Sequence, residues 1–293
     1  MNQLNKNRTF LITFMITAVA AVVIIRFVQF ATDVIDFNTG FFYHYAGPLK
    51  YLHYITLGVV FVGLIILVIT EKKRKTRFFN KRLSHFDDSD TAICGIMLLL
   101  AAFAVVYTAI NTGFANQSTA EILTAFLGTV AYSFSGGVLL FKKRAFPSIG
   151  IAFLALSGYY VARLIALFLS NHIIFSMSEH LTVLIFTIMA ALFYLTAGRI
   201  FMRVESKSTR FKTCVFGFSA VIIAASEIIA KVVFMLGSPS VTRYNLVGSA
   251  STQFIAPDML FAAETIAILV FLLSMARVKH EKGERKRRWA SRK

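Results

Sequence analysis

The segment AASEIIAKVV, residues 224–233, places Glu227 and Lys231 within an apolar stretch running from about Thr213 to Leu236. On a helix, a carboxylate and an ammonium four residues apart share a face and can pair, in the favourable order with the acid first. Arg26, Arg163 and Glu264 sit in comparably apolar surroundings. Ionisable residues inside a bilayer face a partner, water or the bundle interior, and they mark substrate paths, proton relays and ligand sites. The five formal charges are three positive and two negative. Pairing both carboxylates therefore leaves one basic group over, which suits a small anionic ligand, a lipid phosphate, or water and backbone carbonyls. Arg26, Arg163, Glu227, Lys231 and Glu264 form the candidate ligand-binding set. Glu227 is expected to pair with Lys231, and Glu264 with Arg163 or Arg26.

Other chemistry is poorly supported. The chain has no HExxH zinc helix, no GxSxG elbow and no paired intramembrane aspartates, so no catalytic residue is assigned and an enzyme is not expected. His44 and His53 lack metal-pair spacing with Asp33 or Asp36, and Cys94 and Cys214 have no histidine neighbours. No metal or cofactor is expected, and both cysteines are read as small packing residues.

These residues need helices to position them. The chain is 57% hydrophobic with a mean hydropathy of +0.70, and its apolar stretches have the roughly twenty residues that cross a bilayer as a helix. Barrel strands would alternate, and these stretches do not. The expected class is all-α, a polytopic membrane bundle of eight transmembrane helices. The predicted spans are about 9–30, 51–70, 91–112, 122–141, 148–170, 181–200, 213–236 and 258–277. The first apolar run continues to Ile25, longer than a signal-peptide core, so it is read as a retained span. Residues 1–277 make one integral membrane domain, with 278–293 as a basic tail. A four-plus-four repeat, 1–141 and 142–277, would match Arg26 with Arg163 and Cys94 with Cys214.

A net charge of +17 raises nucleic acid as a partner, but the distribution argues otherwise. All Lys and Arg lie in the N-terminus, alternate connections, the C-terminal tail or the span ends next to them (Arg199, Arg277), except Lys50 and Arg243 in the other connections and Arg26, Arg163 and Lys231 within spans. By the positive-inside rule this pattern encodes topology, with both termini cytoplasmic, and no nucleic acid is expected. The basic segments EKKRKTRFFNKRLSHF and KHEKGERKRRWASRK would hold anionic headgroups of the lipid bilayer, at about 1 kcal/mol for each basic residue near the surface. Any protein partner is unassigned.

Small residues define which way the embedded charges point. Gly217, Ala220, Ala224, Glu227 and Lys231 recur at three and four residues, as do Ala152, Tyr159, Arg163, Ala166 and Ser170, while Glu264 shares a face with Ala267 and Ser274. Such seams let a second helix approach closely, so the charges should face inward. At 1.5 Å per residue the five lie roughly 6–14 Å below the outer boundary. Arg26, the shallowest, with Gln29 and Asp33 on its face, is expected at the rim.

The connections carry few further signals. Phe37, Phe41, Phe42, Tyr43 and Tyr45 between spans one and two read as an interfacial aromatic belt or a lid. Ser118 with Glu121 and Ser176 with Glu179 match capping boxes, and Asp258 follows Pro257 at a helix start. His172 and His180 are read as solvated or capping.

The short-looped eight-helix layout, with DFNTGFF after the first span and EHLTVLIF opening the sixth, resembles uncharacterised polytopic proteins of Gram-positive bacteria. That resemblance implies a bacterial plasma membrane and no known activity. The expected function is a transporter or ligand-binding protein with an outward-facing charged site. A non-enzymatic sensory or scaffold component is the alternative, and an enzyme acting on a lipid-linked substrate the third reading.

Overall fold

The computed structural model describes residues 2–32, 47–73, 88–112, 119–141, 146–170, 178–204, 208–237 and 259–276. Within them it is all-helical, with eight helices: α1 Asn2–Ala31, α2 Leu49–Lys73, α3 Asp88–Thr112, α4 Thr119–Phe141, α5 Phe146–Ser170, α6 Ser178–Phe201, α7 Thr209–Gly237 and α8 Met259–Ala276. The long connections with their aromatic residues, Ser118, Ser176, Asp258 and the basic tail lie outside the described residues, as do the side chains of Lys231 and His180.

Six helices, α2 to α7, are long and apolar enough to cross a membrane. The expected first and eighth spans appear as shorter apolar stretches, Thr13–Gln29 and Met259–Met275. In α1 the polar Asn2–Thr9 stretch continues the helix without lengthening its apolar part. Large apolar side chains such as Val59, Phe103, Phe126 and Phe141 are exposed around the bundle, a surface suited to lipid contact.

The ring runs α3, α4, α5, α6, α7, α8, each packed on the next, and α8 closes it onto α3. Both α1 and α2 pack on α7 and on each other. Helix α7 is thereby surrounded, and 78% of its span is buried against 22% for α2. The predicted small-residue seam explains this: Gly217, Ala220, Ala224 and Glu227 are all buried.

Many hydroxyls inside the spans are satisfied locally or across helices. The hydroxyls of Thr56, Thr70, Thr124, Thr187 and Thr265 each donate to the carbonyl one turn earlier, which removes an unpaired donor from an apolar medium. Ser135 of α4 donates to the Ala152 carbonyl of α5, and Ser157 of α5 to the Ala191 carbonyl of α6, both at 3.0 Å. Close approach is visible between α3 and α4, where a Cβ on Gly136 would lie 2.9 Å from the Gly95 carbonyl oxygen, and one on Gly95 3.0 Å from that of Gly136.

At the end where α5 begins and α6 finishes, the ring is filled by aromatic side chains. Phe153 lies 5.4–5.8 Å, centroid to centroid, from Tyr194, Phe201 and Phe271, and Phe193 meets Phe271 edge-on at 5.4 Å. The predicted charged residues occupy the opposite half.

Candidate functional site

The described contacts gather the embedded polar residues into two groups. The first joins α1, α2 and α7. Arg26 is fully buried, and its Nε lies 3.1 Å from Glu227 Oε1 and 3.3 Å from Oε2. Its Nη1 donates to Gln29 Oε1 at 3.2 Å, one turn further along α1. His53, also fully buried near the start of α2, places Nε2 3.7 Å from Glu227 Oε1. The neighbouring Tyr54 hydroxyl shares a hydrogen bond with Thr182 of α6.

This arrangement corrects one sequence-based expectation and adds a partner to another. Arg26 is in the interior rather than at the rim, because α1 docks its charged face directly on α7. Glu227 is met by Arg26, 201 residues away in sequence, a tertiary partner the local pairing rule did not offer, while the expected pairing with Lys231 falls on a side chain outside the described residues. A guanidinium can offer several donors in a fixed plane, which favours it for a buried pair. The group can bind charge to charge and fix the position of the α1–α2 hairpin; with both partners buried, it offers little surface to a ligand.

The second group joins α4, α5, α6 and α8. Glu264 is fully buried, and the Tyr132 hydroxyl of α4 donates to its Oε1. The Tyr132 oxygen lies 2.9 Å from that of Tyr160 on α5. Tyr160 stacks on Tyr194 of α6 at 5.8 Å, and Tyr159 meets Tyr132 edge-on at 5.2 Å. On α3, the Cys94 thiol donates to the Ala267 carbonyl at 3.4 Å; both cysteines are buried and unoxidised, as expected of packing residues.

Arg163 belongs with this second group. Its guanidinium carbon stands 5.8 Å from the centroid of the Phe261 ring on α8, within cation–π range. Phe261 in turn packs on Phe186 of α6 at 4.4 Å. Unlike Arg26, Arg163 is only half-buried. The structure therefore brings Arg26 and Glu227 into contact, places Arg163 and Glu264 on the α5 and α8 faces of a second group, and leaves the Lys231 side chain undescribed.

The tyrosines were not legible as site residues. Tyr132, Tyr160 and Tyr194 are all but fully buried, yet in an apolar window they read as ordinary span residues. One signal existed: Gly128, Tyr132, Ser135 and Ser157, Tyr160 place hydroxyls at helical spacing among small residues, the pattern of a polar helix seam. Among the described residues, no group of three or more His, Cys, Asp or Glu is arranged to hold a metal ion.

Compared with protein-family models, curated proteins and solved structures, the chain matches none of them.

Proposed function

We propose that this chain is an eight-crossing protein of a bacterial plasma membrane, with both termini inside, that admits a small anionic ligand from the outer face to a site at Arg163. The observation that carries the reading is the accessibility of Arg163. Its neighbours on the same face of α5, Ala152, Leu156, Tyr159, Tyr160 and Ala166, are buried, while Ile151, Val161, Ile165 and Phe168 form the exposed face on the other side. Arg163 as a residue keeps partial exposure on that inward face, although its Nη1 is buried, and a side chain so placed is reached through the bundle, not from the lipid. Aromatic packing at the other end, around Phe153 and Phe271, supports an opening on one side only. Beside the Arg26–Glu227 pair, the embedded charges are Arg163 and Lys231 against Glu264, a net positive sum that favours an anion. Transport or ligand sensing would both use such a site.

The test needs no substrate. In a variant with Cys94 and Cys214 replaced by alanine, Leu167→Cys puts a thiol one turn beyond Arg163, at a half-buried position on the same face. Impermeant thiosulfonate reagents added outside should label it, the anionic reagent faster than the cationic one, and Arg163→Gln should abolish that preference. Complete protection of the thiol in folded protein would remove the cavity. Equal rates for the two reagents would remove the anion site.

A further inference from the structure

We infer that Glu264 is a proton-loading site, reached from the Arg163 opening through the hydroxyls of Tyr160 and Tyr132. This rests on the outward opening proposed above and names the ion that would be coupled to the anion. Glu264, Tyr132 and Tyr160 come from three helices, and each is fully buried. The single phenolic proton of Tyr132 goes to Glu264 Oε1. In the 2.9 Å contact between the two phenols, Tyr160 is therefore the donor, and the chain has one direction, from Tyr160 to Tyr132 to Glu264. Tyr160 lies three residues before Arg163, on the adjoining part of the inward face of α5, so the outer end of the chain stands within a turn of Arg163, and water entering along that face would deliver the proton to the buried Tyr160.

The transfer balances. A proton arriving from water bonds to the Tyr160 oxygen as the Tyr160 proton moves to the Tyr132 oxygen. The Tyr132 proton moves to Glu264 Oε1. One proton is taken up, both phenols are again neutral, and Glu264 is a neutral acid. Release runs the same steps backward. No redox partner or leaving group is involved.

Other groups from the neighbouring helices stand around Glu264. On α3 the Cys94 thiol is held by the Ala267 carbonyl. On α5, Tyr159 packs against the Tyr132 ring and Arg163 stands over Phe261. Tyr194 of α6 stacks on Tyr160, and Glu227 of α7 is paired with Arg26. A proton on Glu264 cancels the carboxylate charge of this group while Arg163 stays cationic. Proton and anion binding then strengthen each other, and by linkage the coupling is reciprocal.

Infrared difference spectroscopy on the purified full chain in lipid nanodiscs tests this. A pH titration of the wild type should show a protonated-carboxyl band that Glu264→Gln removes. After a pH jump, Tyr160→Phe should slow the appearance of that band at least tenfold while leaving its final amplitude intact, since the Tyr132–Glu264 bond remains. A band that persists in Glu264→Gln, or an unchanged rate in Tyr160→Phe, overturns the inference. If Glu264→Gln is not monodisperse, Glu264→Asp withdraws the carboxyl from Tyr132 and should shift the band frequency; an unshifted band counts against Glu264. The Leu167→Cys labelling reads the anion site separately, so labelling with anion preference alongside a failed infrared test would remove the proton site alone.

Discussion

Replacing Arg26 by methionine should destabilise the folded protein by about 3–5 kcal/mol, because it leaves the Glu227 carboxylate buried without its cation. The guanidinium is fully buried and the carboxylate side chain is 4% exposed, so solvent cannot screen the loss. His53, 3.7 Å from the same carboxylate, can compensate only by taking a proton. The double variant Arg26→Met with Glu227→Leu should recover most of the stability, since an apolar pair of similar size often substitutes for a buried ion pair without loss. Equilibrium unfolding in mixed micelles, followed by helical circular dichroism, measures all three variants. A single variant as stable as wild type would show the pair to be dispensable. A double variant no better than the single one would show that Arg26 stabilises the bundle through contacts other than Glu227.

The second large effect separates two adjacent glycines. A Cβ on Gly136 would lie 2.9 Å from the Gly95 carbonyl oxygen and 2.8 Å from a Leu99 side-chain carbon, whereas one on Gly137 meets nothing within 4 Å. Backbone cannot retreat as a side-chain tip can, so Gly136→Ala should force α3 and α4 apart at a cost of about 1–3 kcal/mol. Gly137→Ala should be neutral or stabilising by up to about 1 kcal/mol, through helix propensity alone. The same unfolding measurement decides; equal effects at the two positions would mean that α3 and α4 do not approach as described.

The sequence made the elements legible because apolar length is a local property. The predicted 122–141 and 213–236 correspond to Thr119–Phe141 and Thr209–Gly237, with the extra residues being polar ends that continue a helix without adding hydropathy. The inward face of α7 was equally legible, since Gly217, Ala220 and Ala224 mark it at helical spacing. What could not be read was which helix meets that face. Pairing Arg26 with Glu227 requires α1 to dock on α7, and nothing in the loop lengths specifies that neighbour. The i, i+4 rule offered Lys231 instead, a reasonable choice while only one helix is considered. Tyr132 and Tyr160 failed to stand out for a related reason: a phenol in a span is unremarkable until its hydroxyl finds a partner on another helix.

Helix α1 leaves the ribosome long before the helix that neutralises it. With 201 residues between Arg26 and Glu227, and synthesis at about 5–20 residues per second, roughly 10–40 s pass before the carboxylate is made. During that interval the nascent α1–α2 hairpin holds a cation whose carboxylate partner has not yet been made, and the lipid headgroups are the nearest place of rest. Assembly of this protein therefore has a late, long-range docking step in which an early hairpin is recruited by the seventh helix. Chains halted before α7 would remain open to quality-control proteolysis in a way that completed chains do not.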